Sequence, residues 1–222
     1  MIYFEKSQPA PECLEREKSK ASGDYKCDDV LDRLKSDFYN KCYICEMSSP
    51  PSINVEHFVP HENNVDLKFS WDNLFWSCAH CNNSKQARFK NLLNCTQKDD
   101  AVELRLRQTC NPFPCERVRI EALDNDARTI ETKKLLDEIY NGTTKLKTME
   151  SANIRDALLL EIQEFQELLF YYFGLKPFGD KAMVLGRIQG HLNRQSSFTA
   201  IKRWVIRDNP IMCEELGYLL AE

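Results

Sequence analysis

The chain has no apolar run long enough to cross a bilayer. Its longest apolar stretch, residues 168–175, is far shorter than the roughly 20 residues that a membrane-spanning helix needs. Glu5 and Lys6 stand where a secretory signal would carry its apolar core. Glycine and proline are scarce, at 7 and 9 of 222 residues, which excludes collagen-like and low-complexity chains. We therefore expect a folded cytoplasmic protein of one domain or two small ones.

An excess of positive charge is also missing. The chain has 30 Lys and Arg residues against 34 Asp and Glu, and its net charge of −4 excludes a protein that coats nucleic acid through bulk charge. The one basic block is residues 82–119, with 8 basic and 4 acidic side chains. Because such a run is usually a solvated face, it predicts phosphate contact only beside a nucleic-acid site.

Ten cysteines are the most unusual feature of the composition. Cys42 and Cys45 form one C-x-x-C pair, and Cys78 and Cys81 form another. Two thiolates three positions apart bind one side of a tetrahedral ion, so two such pairs predict a closed four-thiolate site for structural zinc. The alternatives are four unrelated buried cysteines or a redox pair, and the matched spacing disfavours both.

The sequence predicts simpler roles for the remaining cysteines. We expect four of them to be small core residues: Cys13, Cys27, Cys95 and Cys213. Cys110 and Cys115 flank a four-residue gap that suits a second metal, but no partner pair accompanies them.

Composition and apolar spacing divide the chain into three predicted parts: residues 1–41, 42–95 and 96–222. The first part predicts a charged helix over 12–22 and a second helix capped by Asp24 or Asp28. The central part is aromatic and Asn-rich, and it predicts strands at 55–60 and 71–77 that pair as a hairpin, followed by a helix over 82–92. Its three large aromatic residues either stack on bases or build the small core: Trp71, Phe75 and Trp76.

The third part begins with a basic linker and then becomes helical. One helix face is predicted from four apolar residues: Ile130, Leu135, Ile139 and Tyr140. A second, longer face is predicted from five more: Ile154, Leu158, Ile162, Phe165 and Leu169. Three shorter helices are expected at 180–193, 196–207 and 210–221.

The central residues follow the ordered pattern C-x-x-C, E-H-F-x-P, N-L, C-x-x-C-N-x-x-K. This pattern resembles the HNH endonuclease motif over about residues 42–92. The segments KSQPAPECLE, ASGDY, NKCYICE and LKFSWDNLFWSC are also similar to the PtuB-type HNH effectors of bacterial Septu and retron anti-phage systems. With the helical periodicity on both sides, the resemblance predicts an α+β, mainly α, fold. Its zinc-stabilised ββα-metal core, residues 42–95, is flanked by helical N- and C-terminal regions.

The resemblance also implies roles for individual residues. His57 matches the general base, and imidazole titrates near neutrality, which suits that task. Glu56 and Asn82 match ligands of a catalytic Mg²⁺ or Mn²⁺. Asn73 matches the asparagine that pins the loop presenting the histidine, and Lys85 matches a closing lysine expected to meet a phosphate.

Two departures from the common pattern affect the catalytic metal. Many HNH motifs have Asp where this chain has Glu56, and His where it has Asn82. Two oxygen donors in place of an imidazole favour a hard cation over a second zinc. The nucleic-acid contacts predicted from the adjacent basic block are Lys85, Arg88 and Lys90.

The function implied is metal-dependent hydrolysis of phosphodiester bonds in DNA or RNA, by a toxic effector of bacterial anti-phage defence. The resemblance implies control by a PtuA-type ATPase and, in retron systems, contact with a reverse transcriptase and its msDNA through that ATPase. The ATPase is expected to dock on the region after residue 126, with Leu168, Phe170 and Tyr171 as first candidates. The alternatives are a non-catalytic zinc module that binds nucleic acid or protein, and an adaptor that acts only through its helices.

Overall fold

The computed structural model describes residues 1–111, 116–174 and 180–221. This part of the chain is mainly helical, with two small antiparallel sheets of two strands each. Its helices are α1 (Glu12–Lys18), α2 (Asp28–Asp37), α3 (Val65–Phe69), α4 (Ala79–Lys85), α5 (Val102–Arg105), α6 (Ala127–Asn141), α7 (Lys145–Phe173), α8 (Lys181–Leu192), α9 (Thr199–Arg207) and α10 (Pro210–Leu216). Its strands are β1 (Ile53–His57), β2 (Leu74–Cys78), β3 (Leu106–Cys110) and β4 (Val118–Ala122).

The first hairpin and the helix after it confirm the predicted ββα order. Strands β1 and β2 pair antiparallel, from Ile53 opposite Cys78 to His57 opposite Leu74. Cys78 then caps α4 by accepting a hydrogen bond from the backbone N–H of Cys81. The helix is shorter than predicted, because Gln86 adopts a left-handed φ of 45° that an α-helix cannot continue through.

The aromatic residues of the hairpin belong to the core. Phe75 is fully buried, and Trp71 and Trp76 are 4% and 7% exposed. The ring centroid of Phe75 lies 5.5 Å from that of Phe38, so helix α2 packs on this hairpin. Because these three rings are buried, they build the core and are not available to stack on bases.

A second hairpin occupies the segment that the sequence predicts to be a basic linker. Strands β3 and β4 pair from Leu106 opposite Ala122 to Cys110 opposite Val118. Leu106, Val118 and Ile120 point into the core, and helix α9 packs against β3. The inward position between Leu106 and Cys110 is Gln108, so the apolar alternation that identifies a strand is interrupted.

Helix α7 joins two apolar clusters. Its N-terminal half adds Ile154, Leu158 and Ile162 to the large cluster around the first hairpin. Its C-terminal half packs Phe165 and Leu169 against helices α8, α9 and α10. These buried residues confirm the predicted long helix face, and none of the described helices is long and apolar enough to cross a membrane.

Several expectations about single residues need correction. Ile130 does not share the buried face of α6, since it is 47% exposed. Cys13 and Cys27 are bonded to each other in a disulfide that joins α1 to the start of α2. Cys213 is exposed on α10 and is not a core residue, whereas Cys95 is fully buried as expected. Cys115 lies outside the described residues.

Candidate functional site: a four-cysteine cluster beside a Glu–His–Asn cleft

The four paired cysteines form one cluster at the base of the first hairpin. The Sγ atoms of Cys42, Cys45, Cys78 and Cys81 all lie within 4.8 Å of one another, and all four residues are buried. Cys45 Sγ is 3.9 Å from Cys78 Sγ. A tetrahedral zinc with Zn–S bonds of about 2.3 Å needs its sulfurs about 3.8 Å apart, so this cluster fits a structural zinc ion.

Hydrogen bonds connect the two cysteine pairs to helices α6 and α7. The hydroxyl of Tyr140 donates to the carbonyl of Cys45 at 2.8 Å. His80, inside the second pair, has one ring nitrogen 2.9 Å from a Glu150 oxygen and the other 3.0 Å from the carbonyl of Ile139. The metal core is therefore packed into the helical body through polar contacts with α6 and α7.

A cleft of about 350 Å³ opens where strand β1 ends. Glu56 and His57 line it from β1, and Asn82 lines it from α4. Successive strand residues normally point to opposite faces. Glu56 and His57 nevertheless share this cleft, because His57 is the last residue of the strand and the cleft extends around its end. Three of the four residues predicted for catalysis are thus brought together.

The surroundings of His57 determine which of its nitrogens is able to accept a proton. Nε2 lies 3.0 Å from the backbone carbonyl of Lys68, which is an acceptor only, so Nε2 carries the ring proton and donates it. Nδ1 is then the unprotonated nitrogen of the neutral ring. Burial lowers the pKa of His57 below its ordinary value, and the hydrogen bond to the Lys68 carbonyl opposes this shift only in part. The lowered pKa favours the neutral ring that a general base needs.

Tyr25 is a residue of the cleft that sequence reasoning did not assign. It comes from the segment between α1 and α2, and its ring packs edge-on against His57 with centroids 4.6 Å apart. The ring of His61 also packs against His57, with centroids 4.7 Å apart. The only sequence signal for Tyr25 is its position in the flanking segment ASGDY, since a tyrosine alone in a polar loop predicts no contact.

Glu56 has a partner inside the protein. Lys85 Nζ lies 2.7 Å from Glu56 Oε1 and donates also to the backbone carbonyl of His57 at 3.1 Å. Burial raises the pKa of Glu56, and the charge of Lys85 opposes that rise. Lys85 is completely buried, so the expectation that it meets a phosphate is corrected: its ammonium group is held by the site itself.

Asn73 lies outside the cleft and binds the loop that follows His57. Its side-chain oxygen accepts from the backbone N–H of Val59 at 2.7 Å. Its amide group donates to the carbonyls of Val59 at 2.9 Å and Leu67 at 3.0 Å. Both ends of the loop are therefore attached to one buried side chain, as a pinning role requires.

The basic block is largely compensated by carboxylates. Arg88 and Lys90 are exposed, and each forms an ion pair, with Glu138 and Glu62 respectively. Further along, three arginines are paired too: Arg105 with Asp124 and Asp126, Arg107 with Glu121 and Asp208, and Arg119 with Glu121. Exposed pairs of this kind exchange readily with solvent and are worth little, so Arg88 and Lys90 remain predicted phosphate contacts.

The cleft offers oxygen ligands but no complete cage for a second metal. Among the described residues, only two clusters of three or more His, Cys, Asp or Glu ligand atoms are close enough to share an ion. One is the zinc cysteines, and the other contains Cys13 and Cys27, whose sulfurs are bonded to each other. A carboxylate from Glu56 and an amide oxygen from Asn82 fit Mg²⁺ or Mn²⁺, which often keeps water and substrate phosphates as its other ligands.

Comparison with known proteins identifies this part of the chain. Residues 42–88 match the family model described as HNH endonuclease. The match runs from the first zinc cysteine to Arg88, so it contains all four sulfurs together with Glu56, His57 and Asn82. No curated protein matches the chain. The chain therefore carries an HNH endonuclease domain at residues 42–88, and helices α5 to α10 lie outside the match.

Proposed function

We propose that the protein is a metal-dependent endonuclease that hydrolyses phosphodiester bonds of DNA or RNA. The observation that carries this proposal is the cleft in which Glu56, His57 and Asn82 meet, directly beside the four-cysteine centre. A closed four-thiolate zinc site leaves no open coordination position, so its role is to stabilise the fold. The chemistry then belongs to the cleft.

The residues of the cleft divide the work between them. His57, neutral and with Nδ1 free of a ring proton, takes a proton from the attacking water while Nε2 stays bound to the Lys68 carbonyl. Glu56 and Asn82 are the residues that would hold a divalent cation, and Lys85 fixes the carboxylate of Glu56. The chemistry that a bound Mg²⁺ or Mn²⁺ supplies is stabilisation of the charge on the phosphorane and on the leaving oxygen.

The test of catalysis is a pair of histidine variants in one cleft. His57→Ala should lower cleavage of DNA or RNA by about 10²–10⁴-fold, the usual contribution of a general base. His61→Ala is the matched control. The ring of His61 contacts His57, but His61 lies beyond the end of strand β1, so this variant should retain most of the activity. Zinc content and thermal unfolding of both variants show whether the fold is intact.

The same experiment separates the alternative function. A non-catalytic zinc module needs the cysteines but neither Glu56 nor His57 nor Asn82. If His57→Ala, Glu56→Gln and Asn82→Ala all retain the properties of the wild type, and no cleavage is detected with Mg²⁺ or Mn²⁺, the protein is a binding module. Rescue of Glu56→Gln or Asn82→Ala by excess Mn²⁺ instead supports the assigned metal ligands.

We further propose that the protein acts in the bacterial cytoplasm as the toxic effector of an anti-phage defence system, and that a PtuA-type ATPase controls it. In a retron system, the reverse transcriptase and its msDNA would reach it through that ATPase. The support is the resemblance of the flanking segments to PtuB-type effectors. A nuclease domain without a base-reading module also needs restraint by a partner.

The C-terminal helices provide a surface that suits such a partner. An apolar groove of about 630 Å³ lies between α7, α9 and α10 and is lined by Leu169, Phe170, Phe173, Val205 and Met212. Phe170 is 73% exposed at its edge. Leu168, one of the predicted docking residues, is excluded because it is 2% exposed and packs in the core.

Two substitutions on α7 test this docking site. Phe170→Asp should break co-purification with the ATPase, because a carboxylate in an apolar interface is left without a partner. Leu160→Asp is the matched control, since Leu160 is 69% exposed on the same helix and does not line the groove. Circular dichroism checks that both variants fold. Equal co-purification of both variants would exclude the groove as the docking site.

A further inference from the structure

A small cavity with several charged side chains in its lining lies apart from the nuclease cleft and shares no lining residue with it. Its volume is about 240 Å³. Tyr3 lines it from the N-terminal segment, Lys98 and Glu103 from the turn and short helix before β3, and Arg203 and Arg207 from α9. Leu220 and Ala221 also line it, so four separate parts of the chain converge at the cavity.

The charge of this cavity is opposite to that of the whole chain. Among the described residues that line it, Lys98, Arg203 and Arg207 are cationic and Glu103 is the one carboxylate. Glu103 is shared, with one oxygen 3.0 Å from Arg203 Nη1 and the other 2.5 Å from Arg207 Nη1. Two positive charges therefore remain without an opposite charge in the lining, in a protein whose net charge is −4.

Arg203 is the strongest indication of a missing anion. Its side chain is 2% exposed, with Nε donating to the carbonyl of Leu192 at 2.9 Å and Nη1 bound to Glu103. Its Nη2 is buried and has no hydrogen-bond partner among the described residues. A buried, unpaired N–H on a charged group is costly, so such a group calls for an acceptor from a ligand or solvent.

Lys98 provides a further cation in the lining of the cavity. It is exposed, and its Nζ lies 5.5 Å from the ring centroid of Tyr3. Arg194 approaches the same ring at 5.1 Å. Glu5 also acts on Tyr3, so the charge outside the cavity is mixed, and the attraction for an anion comes from the lining itself.

We propose that this cavity binds a phosphate monoester, either a free nucleotide or the 5′-phosphate end of a nucleic-acid strand. A monoester carries a charge of about −1.5 to −2 at pH 7, which matches the two uncompensated cations. One arginine guanidinium group is able to bind two phosphate oxygens through parallel N–H···O hydrogen bonds. The cavity is smaller than the roughly 300 Å³ at which pockets for drug-sized ligands begin, so it admits a terminal phosphate and not a continuous strand. This proposal does not depend on catalysis in the cleft.

The test measures binding to the full-length chain without divalent cations, so that no cleavage interferes. Titrations compare adenosine 5′-monophosphate with adenosine, and a 5′-phosphorylated oligonucleotide with the same strand bearing a 5′-hydroxyl. The phosphorylated ligand of each pair should bind saturably and its partner should not. Tighter binding of the oligonucleotide identifies a strand end as the source of the phosphate, and tighter binding of the mononucleotide identifies a free nucleotide.

Substitutions of the accessible cationic residues test whether phosphate binds in this cavity. Lys98→Met and Arg207→Gln should each weaken phosphate binding by at least about fivefold, the loss expected for a charge-assisted hydrogen bond. Lys134→Met, on the exposed face of α6, is the control and should bind like the wild type. Arg203 is left intact, because its burial ties it to the fold. The proposal is overturned if neither phosphorylated ligand binds saturably up to about 1 mM, or if Lys98→Met binds as tightly as the wild type.

Discussion

Lys85 Nζ lies 2.7 Å from Glu56 Oε1, and this buried ion pair joins helix α4 to the end of strand β1. The same ammonium group donates to the carbonyl of His57. Lys85 therefore fixes the two adjacent residues on which the proposed chemistry depends. A lysine that the motif suggests for phosphate contact acts here as an internal support.

Removal of Lys85 should destabilise the protein strongly. Lys85→Met leaves Glu56 buried without its partner, and breaking a buried pair from one side costs about 3–5 kcal/mol. Lys90→Met is the matched control, because its pair with Glu62 is exposed and screened by solvent and should contribute little to stability. Urea unfolding of both variants gives the comparison. Equal stabilities would show that Lys85 does not hold Glu56.

Asn73 should be needed both for stability and for the position of the loop after His57. Asn73→Ala removes three partly buried hydrogen bonds to the backbone of Val59 and Leu67, at a cost of about 1–3 kcal/mol. Hydrogen exchange at residues 59–67 should accelerate. Asn91→Ala, at an exposed position, should change neither quantity. Unchanged exchange in Asn73→Ala would contradict the pinning role.

The zinc centre should behave as part of the fold. Elemental analysis should find one zinc ion per chain, and Cys45→Ser should lose it and become sensitive to protease. Zinc binding to thiolates is worth about 10 kcal/mol or more in small metal-folded modules. Cys213→Ser, at an exposed cysteine of α10, should keep both its zinc and its resistance. A zinc-free wild type that stays folded and active would exclude the site.

Lys6 should make stability depend on pH above neutrality. Its Nζ donates to the carbonyls of Trp71 and Leu74, and burial lowers its pKa from 10.5 to about 7. Between these two values the unfolded chain keeps a proton that the folded chain has released, so the free energy of unfolding rises with pH in this window. The contribution of Lys6 is constant below about pH 7.

The variant Lys6→Met isolates this effect, because every other titrating group is common to both proteins. The difference in unfolding free energy, wild type minus variant, should increase from pH 7 towards pH 10, by at most about 1.4 kcal/mol per pH unit. Urea unfolding at several pH values measures it. A difference that does not change with pH would mean that Lys6 keeps its proton in the folded protein.

Local sequence patterns were sufficient to predict the four-cysteine cluster, the first hairpin and the long helix. The spacing of Cys42, Cys45, Cys78 and Cys81 specifies a tetrahedral site because ligand geometry restricts where such pairs occur. The buried face of α7 is visible because its apolar residues recur at helical intervals. The candidate site residues Glu56, His57 and Asn82 were found through the order of the motif, and the cleft brings them together.

Only the tertiary structure decided the partners of the polar residues. Whether Lys85 meets a phosphate or Glu56 depends on how α4 packs against β1, and no residue spacing encodes that contact. The contact of Tyr25 with His57 likewise arises from packing between distant segments. The second hairpin was missed because buried Gln108 interrupts its pattern. Periodicity predicts which residues are buried. Which charges and rings pair with each other depends on how elements that are far apart in the chain pack together.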